Sequence, residues 1–273
     1  MSSGGLTADD ISYVTTYATE VLKSFGEEFK AVTDRFKGGQ ILLGRFGAAI
    51  ESVLKNGWEY LSAVNEAHNE LCVASALLAD AKSRCAWLEY EPLLPGCAKT
   101  IDFRATAANG QVVYVDVKTI KPKRTDRWDQ FERATAEQWF PESVHVLLSE
   151  KGLGGEIWHG WFTARDRMLQ HSLELEQKIS SYLSKEENAL FVLALCGDGF
   201  DWHVSHLEDF VAFYSTGVYR WDDSFSQAER KDMADKNVHL DRTISRFAYF
   251  ERKQAEIRPK RVIWGVRPPR DGF

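Results

Sequence analysis

Apolar and polar positions along this chain follow two different periods, and the changes between them mark its elements. Residues 11–25, "ISYVTTYATEVLKSF", read as a helix, and Thr7 and Asp10 ahead of it have capping-box spacing with Asp in place of the usual Glu. "KGGQ" at 37–40 is a break, after which "ILLGRFGAAIESVL" forms a second amphipathic run that stops near "NG" at 56–57. From Trp58 a long helix is expected through Ala81. Leu71, Ala74, Leu78 and Ala81 make its apolar stripe, and Glu66 and Glu70 lie four apart along one side of that stripe.

Beyond this helix the pattern shortens to that of strands. "CAWLEYEPLL" predicts a strand and "PG" at 95–96 a turn, followed by two short strands in "KTIDFRATAANGQVVYVDVKTIKPK". Downstream, helices are predicted over 127–140, 165–186 and 206–215, and strands over 143–150, 188–197, 244–253 and 261–266. The continuous apolar run "NALFVLALCG" is expected to be a buried strand. Helices mixed with strands, with antiparallel pairs among them, predict an α/β or α+β sandwich.

The paired strands carry a conflict. In the first, Ile101, Phe103 and Ala105 point one way, and Thr100, Asp102 and Arg104 the other. In the second, Val113, Val115 and Val117 oppose Val112, Tyr114, Asp116 and Lys118. A two-residue turn at Asn109-Gly110 would mismatch the apolar faces. A three-residue loop, Ala108-Asn109-Gly110, keeps them together and gives Gly110 the left-handed position it suits. That register places Asp102 directly opposite Asp116, with Lys118 on the same face. Like charges across a strand pair are destabilising, and one lysine offsets only part of this. A divalent cation between the carboxylates would remove the conflict, since hard cations such as Mg²⁺ take oxygen ligands.

Composition narrows the classes. The 273 residues are 44% hydrophobic and 27% charged, ordinary for a globular protein, and suffice for one large domain or a core plus an appendage. No apolar run is long enough to span a bilayer and no signal peptide is evident, so no membrane partner and a cytoplasmic location are expected. Cys72, Cys85, Cys97 and Cys196 stand singly without zinc spacing and are expected to be reduced and buried. A net charge of −6 argues against a general nucleic-acid coat. It leaves room for a local basic groove, such as Lys118, Lys121, Lys123, Arg124 and Arg127 would make. The seven histidines form no strong ligand spacing. "HVSH" at 203–206 comes closest to a histidine metal hydrolase and reads as a loop and helix cap.

Asp102 in "TIDF", Asp116-Val117-Lys118 in "YVDVKTI", the Gly-containing turn between them and Glu70 in "HNELCVASALL" together resemble the PD-(D/E)xK nucleases of the restriction-endonuclease-like superfamily. The order helix, three strands, helix, strand fits from about Trp58 to Val266. Ile101 stands where the family's name has Pro, as in many members. Acid-x-Lys recurs at Glu28, Asp80, Glu176, Glu229 and Glu251, but only Asp116 has an acid on a paired strand and an acid on a helix before it.

The resemblance implies an α/β fold with a restriction-endonuclease-like central mixed sheet flanked by helices over residues 58–273. Residues 1–57, outside it, would be an N-terminal helical extension that packs on the core, caps it or makes a dimer contact. It implies a Mg²⁺-dependent endonuclease, with Mn²⁺ as a substitute, acting on nucleic acid and on DNA in the first place. Asp102, Asp116 and the Val117 carbonyl would bind metal, and Glu70 a metal water or a second metal, with Glu66 as its substitute. Lys118 would orient the attacking water. Lys121, Lys123 and Arg124 would hold the substrate backbone. The alternative is the same fold used as a non-catalytic module that binds nucleic acid or a protein partner.

Overall fold

The structure is a computed structural model that describes residues 6–30, 32–79, 85–94, 100–120, 155–197, 204–218, 226–253 and 255–266. Its described strands form one seven-stranded mixed sheet in chain order: β1 (Phe36–Lys37), β2 (Cys85–Tyr90), β3 (Phe103–Ala107), β4 (Val112–Thr119), β5 (Leu190–Gly197), β6 (Arg246–Lys253) and β7 (Glu256–Val266). The neighbours β2/β3, β3/β4 and β6/β7 run antiparallel, while β1/β2, β4/β5 and β5/β6 run parallel. Parallel neighbours need long crossovers. The connection from β4 to β5 includes α4 (Gly155–Leu183), and that from β5 to β6 includes α5 (Val204–Thr216) and α6 (Gln227–Asn237). The helix and strand expected at 127–140 and 143–150 lie outside the described residues.

Helices cover both faces of the sheet. On one side α1 (Ala8–Phe29), α2 (Gly39–Asn56) and α3 (Leu61–Ala79) pack on Phe103, Ala105, Val115, Val117, Val192, Ala194 and Cys196. On the other, α4, α5 and α6 pack on Tyr114, Phe191, Leu193, Leu195, Phe247 and Tyr249. The alternation of β5 between the two cores accounts for its continuous apolar run, since a strand buried on both faces has no polar side. The Asp116 and Lys118 face of β4 therefore lies under α4 rather than in water.

The sheet curls round α3, which packs on β2, β4, β6 and β7. The stripe read from sequence is only part of what this helix buries. Val64, Ala67, Cys72, Val73 and Leu77 are buried as well as Leu71 and Ala74, and so are His68, Asn69, Glu70 and Ser75. A helix enclosed on most sides must partner its polar groups internally. His68 contacts the Tyr17 hydroxyl through Nδ1 and lies 2.9 Å from the Glu256 carbonyl through Nε2. Asn69 donates to Thr119 Oγ1 at 2.8 Å. Burial, the largest cause, and the charge of Arg252 push the His68 pKa down to about 3, so it is neutral at physiological pH.

Residues 6–56 share this core. Phe25, Phe29, Phe36, Leu42 and Phe46 join the same cluster as α3 and Phe103, and β1 is the sheet's edge. Among the described residues, one core cluster includes side chains from both sides of residue 57. The "KGGQ" break is where α2 starts against β2. Gly38 has φ +87°, and a Cβ there would meet Tyr90 Cβ at 3.0 Å. Cys72, Cys85 and Cys196 are buried free thiols, as expected; Cys97 lies outside the described residues.

Because Leu71 is fully buried at the centre of α3, Leu71→Ala should lower unfolding free energy by about 2–5 kcal/mol in urea titrations. A loss below about 1 kcal/mol would mean that α3 is not the helix the sheet closes upon.

Candidate active site

The strand pair has the three-residue loop expected from its apolar faces. Phe103 pairs with Val115, Ala105 with Val113 and Thr106 with Val112. The Ala107 N–H donates to the Gln111 carbonyl at 2.9 Å and the Gly110 N–H to the Ala107 carbonyl at 2.9 Å, with Gly110 at φ +84°. One step beyond Phe103, this register sets Asp102 opposite Asp116. The pair falls on a non-hydrogen-bonded rung, where side chains approach most closely.

Asp102 also ends the ladder. Were β3 to continue backwards, the Ile101 carbonyl would accept the Val117 N–H. The chain bends instead, and Asp102 Oδ2 accepts that N–H at 2.6 Å. The Asp102 carbonyl accepts the Glu91 N–H at 2.7 Å, and the Ile101 N–H donates to the Tyr182 hydroxyl at 3.0 Å. The Val117 carbonyl projects from the same side of β4 as its N–H, toward Asp102.

Asp116 is 0% exposed. Lys178 of α4 donates to its Oδ1 at 2.8 Å. The Lys118 ammonium lies 3.0 Å from Oδ2, close enough for an ion pair but without hydrogen-bond geometry, so Oδ2 accepts no hydrogen bond from the described residues. Lys178, like Arg45 beside Glu70, is a residue that sequence reasoning missed. It was visible only as the end of a helical acid-x-Lys match, Glu176-Gln177-Lys178. Its position between Leu175, Ile179 and Tyr182, all buried, was the signal that it sits at the edge of an apolar face. His171 and Glu174, 3.2 Å apart on the same helix, extend this lining, and the charge of Glu174 acts on Lys118.

Glu70 is buried in α3, on the other side of the sheet. Arg45 Nη1 lies 3.1 Å from both its carboxylate oxygens, and the Tyr90 hydroxyl donates to Oε2 at 2.8 Å. Arg45 also donates to that hydroxyl at 2.7 Å. Glu70 is near enough to Asp102 for their charges to interact. Yet no group of three or more His, Cys, Asp or Glu among the described residues is arranged to hold a metal ion. The residues brought together are Asp102, Asp116 and Lys118; Glu70 borders them in its own clasp, and Glu66 is half-buried one turn earlier. Lys121, Lys123 and Arg124 lie outside the described residues. Glu251, the acid-x-Lys match that falls on β6, is bound to Lys260 at 2.6 Å near the surface.

The electrostatics follow from burial. Asp102 is pushed up to about 6 by burial and then by the Asp116 charge, against the pull of Lys118, the Val117 N–H and Lys178. Glu70 is pushed up to about 7 by burial and then by Asp102, against Arg45 and the Tyr90 hydrogen bond. For Lys118 burial acts downward, but the charges of Asp116 and Asp102 outweigh it and raise its pKa. Lys118, Lys178 and Arg45 thus face Asp102, Asp116 and Glu70, a balance in which the protein's own cations relieve much of the like-charge conflict. The donor set still suits a hard divalent cation. Asp116 Oδ2 is a buried carboxylate oxygen whose close neighbour is the Lys118 ammonium at 3.0 Å, and the Asp102 carboxylate is near enough for its charge to interact with that of Asp116. Comparison with protein-family models, curated proteins and solved structures finds no significant match to this chain.

The raised Glu70 has a sign that can be checked. The folded state binds this proton more tightly than the unfolded chain does. Its contribution to stability is complete below about pH 4.5 and is lost as pH rises to about 7. Glu70→Gln removes this titration. The stability of the variant relative to the native chain should therefore climb between pH 4.5 and 7 and level off above. A flat difference in chemical denaturation across that range would show that Glu70 is not held in this environment.

Proposed function

We propose that the protein is a metal-dependent nuclease hydrolysing phosphodiester bonds, with DNA the substrate to test first, built on a restriction-endonuclease-like arrangement of its mixed sheet. One observation carries the reading: the fully buried Asp116 and the half-buried Asp102 face each other at a strand-pair end, and Lys118, two residues along the same strand face as Asp116, sets its ammonium 3.0 Å from Asp116 Oδ2. Asp102, Asp116 and the Val117 carbonyl would hold Mg²⁺ or Mn²⁺. Such an ion supplies charge stabilisation at a phosphoryl oxygen and acidifies a bound water.

The chain's own groups then have distinct tasks. Asp116 is aimed by its partners in α4 and β4. Asp102 is fixed through its side chain to β4 and its backbone to β2. Lys118 is a retained cation beside both acids, suited to orient water or to meet charge growing on a scissile phosphate. It is no metal ligand, because a protonated ammonium has no lone pair. Lys121, Lys123 and Arg124 follow β4 directly and would supply salt-dependent contacts to a nucleic-acid backbone. Glu70 would enter through a metal-bound water, since Arg45 and Tyr90 occupy its carboxylate.

The charge balance just described favours a second reading, a nuclease-like fold that binds without cutting, because the acids already have counter-ions. Incubation with supercoiled, linear and single-stranded DNA and with RNA, with and without Mg²⁺, separates the two. Metal-dependent cleavage is expected. Lys118→Met should still bind substrate yet cleave about a hundredfold or more slowly. Equal cleavage by the variant would remove Lys118 from its role, and binding without cleavage under every metal condition would establish the binder. In parallel, Mg²⁺ should raise the melting temperature of the native chain, and Asp116→Asn should abolish most of that rise.

A further inference from the structure

The two oxygens of Asp116 are treated differently. Oδ1 receives a hydrogen bond from Lys178 at 2.8 Å, while Oδ2 has the Lys118 ammonium nearby and no hydrogen bond. Lys178 comes from a different element and a well-fixed one. Its side chain is 13% exposed, and Leu175, Ile179 and Tyr182 around it are buried in the core of that face. Tyr182, one turn on, holds the Ile101 N–H at 3.0 Å, and Ile101 is the residue before Asp102. A single turn of α4 therefore grips both acid positions. Residue 182 sets the chain entering Asp102, and residue 178 sets the Asp116 carboxylate.

We infer that Lys178 is a positioning residue for the acid pair: by occupying Oδ1 it fixes the Asp116 carboxylate so that Oδ2 stays turned toward Lys118, as the oxygen that a bound cation would share with that ammonium. This rests on the metal reading above. Bare charge compensation would not need this arrangement. A counter-ion works from any direction, and Lys118 already supplies one positive charge on the same carboxylate. A directed hydrogen bond from a packed helix adds orientation, as do the outer hydrogen bonds that hold metal ligands elsewhere. Removing such a partner typically weakens metal binding about 10- to 100-fold.

The alternative is that Lys178 competes with the cation for Asp116, and the two predict opposite signs. Mn²⁺ titration calorimetry on the full chain compares the native protein with Lys178→Met, Lys178→Gln and Asp116→Asn. If Lys178 positions Asp116, Lys178→Met needs about 10- to 100-fold more Mn²⁺ for half-saturation. Lys178→Gln, which keeps an N–H donor and loses the charge, recovers most of the affinity, and Asp116→Asn loses binding. Tighter binding by both Lys178 variants would overturn the inference in favour of competition. An unchanged midpoint in Lys178→Met would make Lys178 a bystander while leaving the metal reading intact. A folded native chain that binds no Mn²⁺ defeats the metal reading itself, and the inference with it. Should Lys178→Met fail to fold, the native chain still decides. NMR of its lysine ammonium groups should show Lys178 hydrogen-bonded at saturating Mg²⁺, and release of that ammonium on metal addition would overturn the inference.

Discussion

A fully buried carboxylate, Asp116, sets the terms for everything near it. An ionised acid removed from water is costly unless paired, and deleting one partner of a buried ion pair typically costs about 3–5 kcal/mol. Asp116 meets that requirement from two elements at once, with Lys118 two residues along its own strand and Lys178 from the helix above. The position of α4 is thereby tied to β4 by charge as well as by the packing of Tyr114, Tyr182 and Phe191. An apolar residue at 116 would pack there as Leu193 does in the neighbouring strand. Keeping an acid where a leucine would fit costs stability, and that cost is reason to look for chemistry in the site.

The other face of the sheet repeats the problem in α3. Its curled enclosure leaves no solvated side for His68, Asn69 or Glu70, and each is matched to a partner distant in sequence: Tyr17 and Glu256, Thr119, and Arg45 with Tyr90. These bonds join α1, α2, β2, β4 and β7 to one helix. The segment before residue 57 is accordingly part of the core's polar accounting: without Arg45, Glu70 would face Asp102 with only the Tyr90 hydroxyl to oppose its burial.

Local periodicity made much of this legible. The capping box at Thr7 and Asp10, the end of α2 near Asn56-Gly57, the buried strand of 190–197 and the three-residue loop all follow from patterns confined to a few residues. The loop shows the logic most clearly, since only one loop length keeps the Val face of one strand beside the Phe103 and Ala105 face of the other. What escaped was non-local. The edge strand Phe36–Lys37 is two residues long and exists only because β2 lies beside it. The helix Gln227–Asn237 is mostly polar and buries little besides Met233, so its capping box at Ser226 and Glu229 is its main local signature. Arg45 carries no motif, and Lys178 only ends a helical acid-x-Lys match that does not mark its role. Their importance lies in which acids they meet across the fold, and a sequence read one segment at a time does not contain that.

Asp102 is where the two halves of the site join. Its side chain reaches β4, where Asp116, Lys118 and Lys178 set its charge balance, and its charge is felt by Glu70 on the opposite face. Both couplings raise a pKa, so each acid resists ionisation of the next. A positive charge added between Asp102 and Asp116 would relieve Asp102 first and, through it, Glu70, whose clasp of Arg45 and Tyr90 would then hold a fully ionised carboxylate. A proton can supply that relief at low pH, and a cation can supply it at neutral pH. Charge arriving between Asp116 and Asp102 would therefore be felt as far as Glu70, while the hydrogen bonds at Oδ1 of Asp116 and at Val117 hold the geometry of that end.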